Sequence, residues 1–305
     1  MALHVIVGAG PVGRAVAREL LDRGQQVRMV TRSGSGIDGT ERVSANAADA
    51  QRLSELATGA AAIYNCVNPK YTDWERDWPP VANSLLAAAE SSGAVLATTG
   101  NLYIYGEVSA PMTERTPLAA TGKKGRVRIQ MWRDAMAAHE AARVRAFEVR
   151  GSDYLGGNSL LSMMIAPALR KGRTAYVPAA LDVPHTWTNV RDVAKLLVVG
   201  AGDDRAWGRA WHVPSAPACS VRQLTAIAAA QLGVGPKVRA IPQGVLWSAG
   251  LFSPLLRELR ETQHQFRKPF VLDSSAAERE FGLVPATLED SVALDMAEGS
   301  AAPLA

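Results

Sequence analysis

Along this chain, apolar runs of strand length alternate with stretches in which apolar side chains recur every three or four residues. Leu3–Val7, Gln26–Thr31, Ala61–Cys66, Ala94–Thr98 and Arg145–Arg150 read as strands. Pro11–Arg23, Ala47–Leu56, Pro80–Ser91 and a long stretch from about Lys124 to Arg143 read as helices. Hydrophobic strands separated by helices predict a parallel sheet covered on both faces, because each crossover lays a helix across the sheet. Past Gly151 the rhythm changes. Ser159–Arg170, Thr188–Gly200 and Ser220–Leu232 read as helices, the last opened by Ser220 as N-cap, and Pro178, Pro184, Pro214, Pro217, Pro236 and Pro242 punctuate the intervals.

The first strand runs into Gly8-Ala9-Gly10-Pro11-Val12-Gly13, the G-x-G-x-x-G spacing placed between a strand and a helix. Gly8 permits the tight turn, Gly10 lets backbone approach a pyrophosphate, and Gly13 lets helix and strand pack closely. The helix N-terminus supplies N–H donors and the positive end of its dipole. A cofactor with a free ribose 2′-hydroxyl calls for Asp or Glu at the end of the second strand. Here that strand ends in Arg32-Ser33, with no carboxylate before Asp38. A guanidinium and a hydroxyl suit a 2′-phosphate instead, with Arg14 in support, so the expected cofactor is NADP.

The fold class expected is α/β, a Rossmann-type doubly wound parallel sheet with a smaller C-terminal substrate-binding domain. Residues 1–153 and 183–215 are assigned to the dinucleotide-binding domain, and 154–182 and 216–305 to the substrate-binding domain. A length of 305 residues, where a single core stops growing, agrees with a main domain and a companion. The small residues Gly299–Ala305 are expected to fray.

Composition narrows the function. The formal net charge is +4, but the basic residues are scattered and accompany no nucleic-acid motif, so no nucleic-acid partner is expected. Nowhere do roughly 18 apolar residues run uninterrupted, and no signal-peptide pattern opens the chain, so no membrane partner is expected either. Cys66 and Cys219 are too few for a disulfide framework and lack metal-ligand spacing. A cytoplasmic protein without a metal fits.

Further segments resemble the extended short-chain dehydrogenase/reductases, the NAD(P)-dependent epimerase/dehydratase family, over nearly the whole length. Asn46-Ala47-Ala48-Asp49 falls where that family has an acidic loop against the adenine, with Asn46 in place of the first acid. Asn65-Cys66-Val67-Asn68 is similar to the fourth-strand segment lining the cofactor. Leu102-Tyr103-Ile104-Tyr105-Gly106 looks like the segment after the catalytic serine, and Arg150-Gly151-Ser152-Asp153-Tyr154-Leu155-Gly156 like the strand-end loop near the nicotinamide. Thr188-Asn189-Val190-Arg191-Asp192-Val193-Ala194 and Phe281-Gly282-Leu283-Val284-Pro285 are similar to two later family segments.

In that family a Ser and a Tyr-x-x-x-Lys carry proton transfer; no Tyr-x-x-x-Lys occurs here. In the best register Asn101 stands at the serine position, Lys124 at the tyrosine and Arg128 at the lysine; a shifted register puts Thr121 at the tyrosine, again without a phenol. The resemblance thus implies cofactor contacts from Gly8, Gly10, Pro11, Val12, Gly13, Arg14, Arg32, Ser33, Asn46, Ala47, Cys66, Val67, Asn68, Arg128 and Ser152. Asn101, Lys124 and Tyr103 are the candidate catalytic residues. Tyr105, Tyr154 and His185 are nearby alternatives that packing also explains. Val245–Phe252 could wall an apolar ligand or pack a domain interface.

The function expected is an NADP-dependent oxidoreductase acting on a small organic substrate outside the sugar nucleotides. The alternatives are an NADP-binding sensor or scaffold without turnover, and an epimerase or dehydratase that retains its cofactor. Relatives dimerise through two long helices, so the resemblance implies a homodimer through residues 80–91 and 124–143, whose Ala-rich faces permit close packing.

Overall fold

The structure is a computed structural model that describes residues 1–252 and 260–301; residues 253–259 and 302–305, including the end of the tail expected to fray, lie outside the described residues. Its centre is a seven-stranded, wholly parallel sheet. The strands are β1 (Leu3–Val7), β2 (Gln26–Thr31), β3 (Glu41–Ser44), β4 (Ala60–Asn65), β5 (Val95–Asn101), β6 (Ala146–Gly151) and β10 (Ala210–His212), in the order β10-β6-β5-β4-β1-β2-β3. The order reverses between β1 and β4, which leaves a crevice above their carboxyl ends where ligands of such sheets bind. This is the doubly wound sheet that the strand and helix alternation predicts.

The sheet is covered on both faces. Helices α1 (Pro11–Asp22) and α6 (Val190–Ala201) pack together against one face through Val16, Leu20, Val193 and Leu197, all buried. On the other face lie α2 (Ala50–Ala57), α3 (Trp74–Ser92) and α4 (Lys123–Glu140), with Leu53, Trp78, Leu85 and Met131 at their core. Burying one such aliphatic side chain is worth about 1.5–3 kcal/mol, so these two layers hold the sheet rigid beneath the crevice. Pro11 at the first helical position costs α1 nothing, since that N–H would have no partner within the helix.

A separate apolar cluster lies beyond the sheet. Leu155, Leu161, Ile165, Leu169, Val177, Trp187, Leu224 and Met296 form it, drawn from the 155–181 region, α7 (Val221–Gln231) and the final helix Leu288–Ala301. Two short parallel pairs accompany it: β7 (Asp153–Leu155) with β9 (Trp187–Asn189), and β8 (Ala175–Val177) with β11 (Val238–Ala240).

Several boundaries differ from the sequence pattern. Helix α3 starts six residues before Pro80 and carries Pro79 and Pro80 inside, so the prolines do not mark its start. The segment read as one helix from Ser159 is a π-helical turn, Leu161–Ile165, leading into α5 (Ala166–Arg170). Thr188 belongs to β9, and α6 begins only at Val190, capped by the Asn189 side chain bonded to the Arg191 N–H. Ser220 does cap α7, within a full capping box with Gln223.

Candidate active site

The glycine loop has the geometry its spacing requires. Gly8 has φ +109°, and a Cβ there would lie 2.5 Å from the Cys66 carbonyl oxygen; one on Gly13 would lie 2.1 Å from the Gly8 carbonyl oxygen. At Gly10 a Cβ would meet nothing within 4 Å, because this residue borders an open cleft. The cleft, of about 310 Å³, runs over the carboxyl ends of β1, β4, β5 and β6 and is closed on the far side by residues 157–160, Gln265 and Phe270. Asp295, fully buried, fixes its 156–159 wall by accepting from the N–H groups of Gly156 and Gly157 and from Ser159 Oγ, at 2.5–2.7 Å.

Of the residues singled out from the sequence, Gly10, Pro11, Val12, Cys66, Val67, Asn68, Asn101, Tyr103, Arg128 and Ser152 line this cleft. Arg32 and Ser33 stand exposed at the end of β2, and Ser44 Oγ donates to the Arg32 carbonyl at 2.8 Å. Asn46 is exposed, its side-chain oxygen accepting from the Ala48 N–H, with Ala47 half-buried beside it. Arg14 is half-buried in α1.

Arg128 is buried, its guanidinium 5.0 Å from the Trp74 ring centroid and 4.5 Å from that of Trp78. Its Nη1 donates to the Thr99 carbonyl oxygen at 3.2 Å. Its Nε, and the Oγ of buried Ser152, have no hydrogen-bond partner among the described residues. Leaving a buried polar group unpaired costs about 1–3 kcal/mol, and more for a charged one. Two such atoms in the wall of one cleft fit a ligand rich in hydroxyl, amide and phosphate oxygens.

The candidate catalytic residues part company. Asn101 Oδ1 accepts from the Tyr103 N–H at 3.2 Å, capping the turn Leu102–Tyr105. The Tyr103 hydroxyl lies 2.6 Å from the Tyr71 hydroxyl, and burial pushes both phenols above their ordinary pKa, Tyr103 far above. Both are therefore protonated near neutrality and act as hydrogen-bond donors rather than bases. Lys124 is 1% exposed and outside the lining of the cleft, its ammonium 3.6 Å from Glu261 Oε2 and 5.5 Å from the Tyr71 ring centroid.

Cys66 carries an inert thiol, pushed up to about 12 by burial. Tyr154 donates to the Gly100 carbonyl at 2.5 Å, and Tyr105 to the buried His212, both bonds that position backbone or core. Sequence reasoning passed over Tyr71, Asp153, Asn158 and Gln265, which also line the cleft. Tyr71 had a signal, since it stands three residues past Asn68 on the same loop. The helix Gln243–Phe252 places Leu246 and Trp247 against a different cavity, of about 540 Å³, with Pro178 and Phe266.

Sheet order, glycine turn and cleft together define a Rossmann-type α/β protein. The chain belongs to the NAD dependent epimerase/dehydratase family, whose profile matches residues 4–208. No protein of curated function matches it by sequence. Among solved structures it is similar to the dTDP-glucose 4,6-dehydratase of Bacillus anthracis in complex with NAD, at 13% identity and TM-score 0.78, covering 99% of this chain and 97% of that one. The Streptomyces venezuelae dTDP-glucose 4,6-dehydratase, solved with NAD and TYD, gives 18% identity, TM-score 0.77 and coverage of 98% and 97%. A UDP-glucose 4-epimerase gives 14%, 0.79, and 97% and 96%. Among the described residues no helix is long and apolar enough to cross a membrane, and no cluster of His, Cys, Asp and Glu could hold a metal ion.

Proposed function

We propose that the chain is an NADP-dependent oxidoreductase that reduces or oxidises a small organic substrate outside the sugar-nucleotide class. The observation that carries this reading is the pair of unpartnered buried atoms, Arg128 Nε and Ser152 Oγ, in the wall of a cleft that opens at Gly10. Solved relatives of the same fold hold NAD, which supports a nicotinamide dinucleotide here.

In this reading the N-terminus of α1 and the backbone at Gly10 and Val12 receive the pyrophosphate. Asn46, Ala47, Cys66, Val67 and Asn68 flank the dinucleotide, and Arg128 and Ser152 bind its nicotinamide end. Arg32, exposed and near enough to Asp77 to act on its charge, receives the 2′-phosphate with Ser33 and Arg14. When bound, the cofactor supplies or accepts a hydride at the substrate carbon.

The chain's own contribution is orientation and a proton. Tyr103, paired with Tyr71, donates to the substrate oxygen, while Asn101 holds the backbone of Tyr103 in place. Lys124, paired with Glu261, supports the fold of the site rather than the chemistry. Residues 154–182 and the described residues from 216 onward form the substrate side.

A panel of aldehydes and ketones tests this, with NADPH consumption followed by absorbance. Wild type consumes NADPH with at least one member, and Tyr103→Phe lowers kcat by roughly 10²–10⁴, the usual worth of a positioned proton donor, at unchanged NADPH affinity. A protein that binds NADPH yet consumes it with no member is a sensor, and the enzyme reading fails.

A further inference from the structure

The far wall of the cleft carries a pair of titratable groups that the reaction as described does not use. His185 Nε2 lies 2.7 Å from Asp153 Oδ2, and His185 Nδ1 lies 3.0 Å from the backbone carbonyl oxygen of Gln265. A backbone carbonyl only accepts, so Nδ1 carries a hydrogen. The contact between Nε2 and Oδ2 then needs a hydrogen of its own, on the nitrogen or on the oxygen. In either case Asp153 and His185 together carry no net charge.

The imidazole has no freedom to turn away. It is 1% exposed, stacked on Phe266 at 5.1 Å and 3°, and flanked by Phe270 at 5.4 Å and Trp187 at 4.5 Å. It therefore fixes the rotamer of Asp153, whose side chain is 27% exposed and lines the cleft. Asp153 Oδ1 makes no hydrogen bond among the described residues. The Tyr71 and Tyr103 hydroxyls are near enough to feel the Asp153 charge. Around it the lining carries uncharged polar Asn101, Asn158, Ser159 and Gln265 and apolar Leu160 and Phe270, and the buried Arg128 adds a cation to the same cleft.

We propose that Asp153, held by His185, selects a substrate whose carbonyl is flanked by a neutral hydroxyl, that is an α-hydroxy ketone or aldehyde. The hydroxyl donates to Asp153 Oδ1 while the carbonyl oxygen accepts from the Tyr103–Tyr71 pair. A flanking ammonium gains little from a carboxylate already neutralised by His185, and a flanking carboxylate meets an oxygen that can only accept. The proposal rests on the reading that the cleft holds a nicotinamide cofactor and a carbonyl substrate.

Four probes of nearly equal size separate these cases: hydroxyacetone, acetone, aminoacetone and pyruvate. Their binding to the full chain loaded with NADP is measured by ligand-observed NMR, and NADP binding itself by tryptophan fluorescence. Hydroxyacetone is expected to bind roughly two- to tenfold tighter than the other three, the worth of one hydrogen bond without net charge. Asp153→Leu, which is of similar size and leaves no acceptor there, is expected to erase that preference at unchanged NADP affinity. Equal binding of the four probes, binding of none, or a preference that survives in Asp153→Leu overturns the proposal; should the variant not fold, the wild-type series decides alone. Absence of NADP binding to wild type overturns the cofactor reading instead, and the fluorescence titration shows this separately.

Discussion

Glu261 caps α4 with one carboxylate oxygen, accepting from the Lys124 N–H at 2.7 Å, and faces the Lys124 ammonium with the other at 3.6 Å. Lys124, expected from the sequence at the family's phenol position, thus ties the first turn of α4 to a segment 137 residues later. Removing Glu261 leaves the buried ammonium without this partner, whereas removing the ammonium leaves a partly exposed carboxylate that water can solvate. Glu261→Ala is therefore expected to cost about 1–3 kcal/mol, a fall of several degrees in Tm. Lys124→Met is expected to cost less. Thermal melts of the two variants check the order, and an equal or reversed order contradicts it.

The glycines separate binding from folding. A methyl group at Gly10 meets nothing within 4 Å, so Gly10→Ala should leave Tm nearly unchanged while weakening NADPH binding, because the methyl stands where the backbone approaches the pyrophosphate. At Gly13 the same methyl would sit 2.1 Å from the Gly8 carbonyl oxygen, so Gly13→Ala should lower both stability and affinity. Melts and fluorescence titrations of the two variants test the contrast.

Acid should destabilise the fold partly through His212. Its Nε2 accepts from the Tyr105 hydroxyl at 2.7 Å, Nδ1 donates to the Asp273 carbonyl at 2.9 Å, and Arg150 Nη1 donates to the same Tyr105 hydroxyl at 2.9 Å. This arrangement requires a neutral ring, and burial holds the His212 pKa below its ordinary value. The unfolded chain takes up that proton at about pH 6.5, before the folded chain does. Stability is therefore full above about pH 6.5 and is lost as pH falls through the lower, folded value. His4, also lowered by burial, adds in the same direction. His212→Gln should lower Tm near neutrality but flatten its decline from about pH 7 to about pH 5; an unchanged decline contradicts the assignment.

The sheet and the glycine-loop end of the cleft were legible in the sequence because local signals encode them. Strand and helix lengths follow from periodicity, and Gly8–Gly13 announces a strand-to-helix turn on its own. The register that put Arg128 at the lysine position also placed it in the cleft wall. Short β3 left no alternation to read, since it is a four-residue edge strand paired only with β2 and most of its side chains are exposed. The opposite wall of the cleft was illegible for another reason. Asp153, His185 and Gln265 stand 32 and 80 residues apart, and only the packing of His185 between Phe266 and Trp187 brings them together. Lys124, a candidate catalytic residue in the sequence, likewise has in Glu261 a partner 137 residues along the chain.

The central claim, that this cleft takes NADP with Arg32 on its 2′-phosphate, is tested most directly by titrating the tryptophan fluorescence of wild type and Arg32→Ala with NADPH and with NADH. Wild type should prefer NADPH by roughly ten- to a hundredfold, and Arg32→Ala should lose that preference by weakening NADPH alone. Equal dissociation constants for the two cofactors in wild type, unchanged by the substitution, would contradict it.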